Sequence, residues 1–152
     1  MSDRDNWDEY FNRVAEVVAT RATCPRKKVG AVIVRDRTIL TTGYNGSPRG
    51  LPHCTDVGCD LQKLGDRESC VRTIHAEANA VFQAAREGVR LPGSTLYCTA
   101  SPCYDCTKML LNVGITRIVI KEFYDSRFGK SGESLALAKK YGIEVVIGGN
   151  SE

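Results

Sequence analysis

Residues 75–106 read HAEANAVFQAAREGVRLPGSTLYCTASPCYDC, opening on His75-Ala76-Glu77 and closing on Pro102-Cys103-Tyr104-Asp105-Cys106. From His75, apolar residues recur at helical spacing through Ala80, Val81 and Ala84 to Gly88, a glycine suited to a C-terminal cap. Thr95 to Ala100 reads as a strand. Proline is favoured at the first position of a helix, so Pro102 predicts a second helix over 103–112, with Cys103 and Cys106 in its first turn. Two helix starts joined by a strand can present His75, Cys103 and Cys106 to one point. One imidazole and two thiolates make three protein ligands, the number with which a catalytic zinc keeps a fourth, tetrahedral position for water. The partial positive charge of a helix N-terminus favours the thiolate form that a metal needs. Glu77 is placed as general acid/base for a water whose pKa the metal lowers. The bland reading is a structural zinc site, for which Glu77 could supply the fourth ligand.

The rest of the chain is built around this segment. Its 152 residues make one domain, with a cysteine-rich loop insertion at 51–72. The net charge of +3 is too mild for an extended nucleic-acid surface. No apolar run approaches a membrane span, and the polar, acidic start does not read as a secretory signal, so the expected location is cytoplasmic. Seven cysteines in that setting argue for metal ligands rather than disulfides.

An amphipathic helix is expected over 7–22, with Trp7, Tyr10, Phe11, Val14, Val17 and Val18 as its packing stripe and Asp5 or Asn6 as its cap. Strands over 29–34 and 38–42 form a hairpin about Arg35-Asp36-Arg37. Gly43 to Gly50 is a loop, either a long turn or a close backbone approach to a small ligand, with Asn45 and Arg49 as polar contacts. Beyond Asn112, strands are expected over 116–121 and 143–147 with a helix over 131–141 between them. Tyr124 lies past a strand end, where binding loops sit, though it reads equally as packing. This order implies a mixed sheet of about five strands with helices on both faces.

The set His75, Glu77, Pro102, Cys103 and Cys106 resembles the signature of the zinc-dependent cytidine deaminase superfamily. The segment Thr23 to Val34, with the Gly43–Gly50 loop, is similar to its deoxycytidylate deaminase branch. The resemblance covers about residues 20–148 and implies a three-layer α/β/α sandwich and hydrolysis of dCMP to dUMP and ammonia, supplying dUMP for thymidylate synthesis. It further implies that Asn45 binds the sugar hydroxyl, Arg26 the phosphate, and the main chain near Ala76 and Ser101 the base edge, with Tyr124 a candidate to close over the substrate. Many members respond to dCTP and dTTP, the latter with magnesium, at a subunit interface. Tyr44, Asn45, Gly46, Ser47, Asn79 and Arg86 are the candidates here, and Arg86 reads equally as a solvated helix charge. A homodimer or homohexamer is implied.

Some members of that branch carry a second, structural zinc, and Cys24 and Cys54 resemble its ligands. Cys59, Cys70 and His53 are candidates for the remaining places. Cys24, Cys54, Cys59 and Cys70 are favoured because four thiolates make a closed site, against buried free thiols as the alternative. Cys98 is expected to be plain core. The rival activities are a tRNA adenosine deaminase or another nucleoside or base deaminase of the superfamily. From a different class, a non-catalytic zinc module would bind metal without turnover.

Overall fold

The computed structural model describes residues 3–122 and 131–148. Helix α1 (Trp7–Ala19) starts at Asn6, whose side chain accepts from the Glu9 N–H at 2.9 Å while the Glu9 carboxylate accepts from the Asn6 N–H at 3.0 Å. This reciprocal pair satisfies two donors that a helix start leaves over. The helix stops three residues short of the expected 22. Thr20, Arg21 and Ala22 turn out of it on short i to i−3 bonds.

Strands β1 (Gly30–Arg35) and β2 (Thr38–Tyr44) form the hairpin. Its turn carries positive φ at both Asp36 (52°) and Arg37 (60°), the twist that a two-residue hairpin loop favours. Gly43 and Tyr44 belong to β2, so the loop begins at Asn45, two residues later than expected. A Cβ on Gly43 would lie 2.3 Å from the Ala76 carbonyl oxygen. The glycine therefore lets the following helix sit on the strand, rather than admitting a ligand.

Residues 51–72, expected to be irregular, hold a short helix α2 (Cys54–Val57) and an antiparallel hairpin of β3 (Leu61–Leu64) and β4 (Arg67–Cys70). Then follow α3 (Ala76–Glu87), β5 (Thr95–Cys98), α4 (Tyr104–Asn112), β6 (Arg117–Ile120), α5 (Ser131–Lys140) and β7 (Glu144–Ile147).

The main sheet has the order β2-β1-β5-β6-β7. β1 is antiparallel to both neighbours, while β5, β6 and β7 run parallel. Alternation along the strands sorts the core into two layers. Ala31, Ile33, Leu96, Cys98, Ile118 and Ile120 face α3, α4 and α5. Val32, Val34, Tyr97 and Val119 face Phe11 and Ala15 of α1. This is the expected mixed five-stranded sheet with helices on both faces.

The expected α1 stripe is narrower than its spacing implies. Phe11 is buried, but Trp7, Tyr10 and Val17 are exposed. Trp7 stacks on Phe11 at 5.8 Å and lies under the Arg37 guanidinium at 5.0 Å, so part of the aromatic surface is covered by neighbours on the same side. Beneath it the buried Asp8 accepts two hydrogen bonds from Arg117, at 2.8 and 2.6 Å, and one from the Tyr97 hydroxyl at 2.8 Å. That network ties α1 to β5 at Tyr97 and to the start of β6 at Arg117. Burial, then the Asp8 carboxylate, pushes the Tyr97 phenol well up.

Candidate active site

The C-terminal end of β5 and the N-termini of α3 and α4 meet at one edge of the sheet. His75 is the N-cap of α3, and Cys103 is the N-cap of α4. The expected helix start is therefore shifted by one: Pro102 precedes the cap, and the Cys103 sulfur takes the role of a capping oxygen by accepting from the Cys106 N–H at 3.4 Å. The His75 Nδ1 lies 3.5 Å from the sulfur of Cys103 and 3.5 Å from that of Cys106. A tetrahedral ion with Zn–S near 2.3 Å and Zn–N of 2.0–2.1 Å sets its nitrogen and sulfur ligands about 3.5 Å apart. The donor set thus fits zinc in both chemistry and spacing. Cys103 is the thiolate of the pair, brought down to about 4 by the Cys106 side chain against burial, with His75 adding to it. Cys106 is pushed up by the adjoining Cys103 sulfur and by burial.

Glu77, in the first turn of α3, is buried. Its Oε1 accepts from the Cys98 Sγ at 3.0 Å. Cys98 is core, as expected, and in addition meets a buried carboxylate. Period-two reading of β5 carries the missed signal, since Leu96 and Cys98 share the face that meets α3. A second residue unread in the sequence is Ser134 of α5. It is fully buried, donates to the Pro102 carbonyl at 2.8 Å and lies 2.7 Å from the Thr107 hydroxyl, so α5 fastens the turn that bears Cys103.

The loop after β2 is sewn to the same corner. Gly46 and Ile74 exchange backbone hydrogen bonds of 3.2 and 2.9 Å, immediately before His75. The buried Asn45 accepts from the Val29 N–H at 2.8 Å and donates to the Lys27 carbonyl at 2.7 Å. Asn79 donates to the Tyr44 carbonyl at 2.8 Å. The Ser47 hydroxyl is buried without a hydrogen-bond partner. Arg26 and Arg49 are exposed in the flanking turns, Ala76 is buried at the start of α3, and Ser101 is half-buried ahead of Cys103. Arg86 is exposed and pairs with Glu87 at 3.3 Å. Tyr124 lies outside the described residues.

A second donor cluster joins the insert to the segment before β1. The sulfurs of Cys24, Cys54, Cys59 and Cys70 all lie within 4.8 Å of one another. Cys24 and Cys59 are 3.8 Å apart, and Cys54 and Cys70 3.6 Å. Four sulfurs around one zinc at 2.3 Å would be spaced by about 3.8 Å. His53 stands outside this cluster, with its Nδ1 buried and unpartnered. Burial, then the neighbouring sulfurs of Cys70 and Cys59, pushes the Cys54 thiol up to about 12. Burial also raises Cys70, but the Arg72 and Asp60 backbone N–H groups, with the Cys54 and Cys59 side chains, together outweigh it, and that thiol falls to about 7.

Sheet order and helix placement define the cytidine deaminase-like α/β class. The family described as the cytidine and deoxycytidylate deaminase zinc-binding region matches residues 5–122, and the chain belongs to it. ComE operon protein 2 of Bacillus subtilis (strain 168) is 43% identical over 122 residues, which are 80% of this chain and 62% of that protein. The deoxycytidylate deaminase of Saccharomyces cerevisiae is 37% identical over 145 residues, 93% of this chain and 45% of the yeast protein. The chain thus spans 62% and 45% of the lengths of these two relatives. The crystal structure of the dCMP deaminase from the cyanophage S-TIM5, in complex with dCMP and dUMP, superposes with a TM-score of 0.76 at 30% identity. It covers 96% of this chain and 99% of the phage chain.

Proposed function

We propose that this protein is a zinc-dependent hydrolase that converts dCMP and water to dUMP and ammonia. The observation that carries the reading is the His75, Cys103 and Cys106 triad at tetrahedral spacing with the Glu77 carboxylate beside it. It occurs in a fold that matches the phage dCMP deaminase along almost its whole length. His75, Cys103 and Cys106 would hold the catalytic ion. When bound, zinc supplies Lewis acidity that makes water a competent nucleophile near neutral pH. Glu77 takes a proton from the attacking water and delivers it to N3 of the cytosine. Oxygen bonds to C4, Glu77 then takes the proton of the resulting C4 hydroxyl and passes it to the amine, and the C4–N bond breaks to leave the C4 carbonyl of dUMP and ammonia. The main chain at Ala76 and Ser101 orients the base edge, and Asn45 meets the sugar hydroxyl.

Arg26 is assigned to the phosphate, with Tyr124 as the candidate closing residue. A hollow of about 290 Å³ lined by Lys27, Lys28, Thr99, Ala100 and Lys121 runs up to the residue before Ser101. Lys121 pairs with Glu16, and Lys27 and Lys28, against Glu122, support an anionic group on that side.

Cys24, Cys54, Cys59 and Cys70 are assigned a second, structural zinc. Tyr44, Asn45, Gly46, Ser47 and Asn79, with Arg86 two turns further along α3, are assigned to a regulatory nucleotide, dCTP or dTTP, with magnesium. The unpartnered Ser47 hydroxyl supports a polar ligand there. That site would lie between subunits of a homodimer or homohexamer. Seven free cysteines suit a reducing, cytoplasmic setting. Among the described residues no helix is long and apolar enough to cross a membrane.

The test is the ultraviolet loss of the cytosine chromophore on adding dCMP, with deoxycytidine alongside and with or without dCTP. Turnover of dCMP alone, raised by dCTP, supports the whole reading. Turnover indifferent to dCTP removes the regulatory part. No turnover by zinc-loaded protein rejects the activity.

A further inference from the structure

We infer that Cys98 is a positioning residue for Glu77: its thiol holds one carboxylate oxygen so that the other is directed to the reacting water. The inference rests on the reading of Glu77 as the proton carrier. Cys98 closes β5, is fully buried, and points to the α3 side of the sheet. Its sulfur is 3.0 Å from Oε1 of a carboxylate that itself is only 4% exposed. A buried carboxylate needs donors, and a glutamate has three side-chain torsions to fix before it can move protons along a defined path. The Cys106 sulfur also lies against Glu77. Once Cys106 is a metal ligand it is a thiolate with no proton to donate, and Cys98 remains as the sulfur donor on that side. Burial, reinforced by Glu77, keeps the Cys98 thiol protonated. A buried valine or alanine would fill the strand position as well as a cysteine does. Only a donor explains the short approach to Oε1.

The experiment compares Cys98→Ala with Cys98→Ser in zinc-loaded protein. The two replacements are similar in size, and only serine restores a proton to give. Measured quantities are kcat, KM for dCMP, zinc content and melting temperature, with Glu77→Gln as the control. We expect Cys98→Ala to lower kcat about tenfold, the scale of one lost hydrogen bond to a charged group. KM and zinc content should stay within about twofold, and Cys98→Ser should recover to within about threefold of the parent. Equal kcat losses in both variants would show packing alone and overturn the inference. So would a parental kcat in Cys98→Ala, or a loss confined to KM or zinc content. If Cys98→Ala does not fold, Cys98→Val takes its place, with the same expected loss and the same contrary outcomes. If Glu77→Gln keeps full turnover, the proton-carrier role falls and this inference with it. If Glu77→Gln is inactive while Cys98→Ala is normal, only the role of Cys98 falls.

Discussion

The hydrophobic cluster at the insert consists of Cys24, Cys54 and Cys70 with Cys59 against it, while Leu51, Val57, Leu61 and Val71 of the same region face outward. His75, Cys103 and Cys106 instead sit at the ends of two helices whose other residues, Ala80, Val81, Ala84 and Leu110, enter the main core. The first cluster offers four sulfurs, three of them buried, and the second offers three donors with an exposed histidine. Four protein ligands close a zinc and serve architecture, whereas three leave a position for chemistry. Around the first site an ion would take the place of a core. Around the second the core comes first, and it positions the ligands before any ion binds.

That contrast is broken most directly by removing one ligand from each site. Cys103→Ser should abolish turnover and release one zinc equivalent. The fold should persist, because Leu110 and Ile118 still pack. Glu77→Gln should lower kcat by about 10²- to 10⁴-fold, the usual reach of general acid–base catalysis, with the zinc content of the parent. Elemental analysis beside the dCMP assay distinguishes the two, and near-parental turnover in either variant would reject its assigned role.

The mirror experiment, Cys54→Ser, should cost the other zinc equivalent and loosen the insert. We expect proteolytic cleavage within residues 51–72 to accelerate at least about tenfold, as local opening becomes easier. Thr55 donates to the Thr23 carbonyl at 3.1 Å, and Thr23 donates to the Asn45 carbonyl at 3.1 Å. Loosening should therefore reach the substrate corner and lower activity indirectly. Unchanged protease resistance with the zinc lost would show that the insert is held by its hairpin alone.

Proton release sharpens the comparison further. Burial and the neighbouring sulfurs push the Cys54 thiol up to about 12, burial raises Cys59, and Cys70 falls to about 7. At neutral pH zinc must therefore expel the Cys54 and Cys59 protons and part of that on Cys70. Zinc affinity at the insert should fall as pH drops and rise as it climbs, with protons released into weak buffer on loading. At the other site Cys103 is already ionised above about 4, which removes one proton from the exchange. Titrating zinc into Cys103→Ser protein isolates the insert, and an affinity flat between pH 6 and 8 would contradict the closed thiolate site.

The sheet was legible in the alternation of Val32 with Ile33, Tyr97 with Leu96 and Val119 with Ile118, because each strand is buried on both faces by different helices. The two donor clusters were legible as candidates because histidine and cysteine are the right ligand types whatever surrounds them, and the structure brings each set within 4.8 Å. The hairpin of β3 and β4 was not. Leu61, Gln62 and Lys63 are all exposed, so they give no alternation to read, and the pairing is supported at Cys70 by sulfurs distant in sequence. Asn79, which the resemblance implies for the nucleotide corner, donates to the Tyr44 carbonyl, a contact that helix spacing alone does not show. Cys98 was passed over because a mid-strand cysteine reads as a small hydrophobe until its partner across the layer is known.

Ser134 provides the smallest and most discriminating test. It comes from α5, 32 residues beyond Pro102, and its hydroxyl bonds the carbonyl of the residue that precedes Cys103. Thr107, one turn into α4, shares the same hydroxyl at 2.7 Å. Replacing Ser134 with alanine leaves two buried polar groups short of a partner, at a cost of about 1–3 kcal/mol. If the open site is positioned by the core, that cost should appear both in thermal stability and as a severalfold loss of kcat, with zinc retained. The closed site, held by its own ion, should not respond, and protease resistance over 51–72 should match the parent. A variant that loses stability but keeps full kcat would mean that the His75, Cys103 and Cys106 geometry is set by the metal after all, and the two sites would then differ only in the number of their ligands.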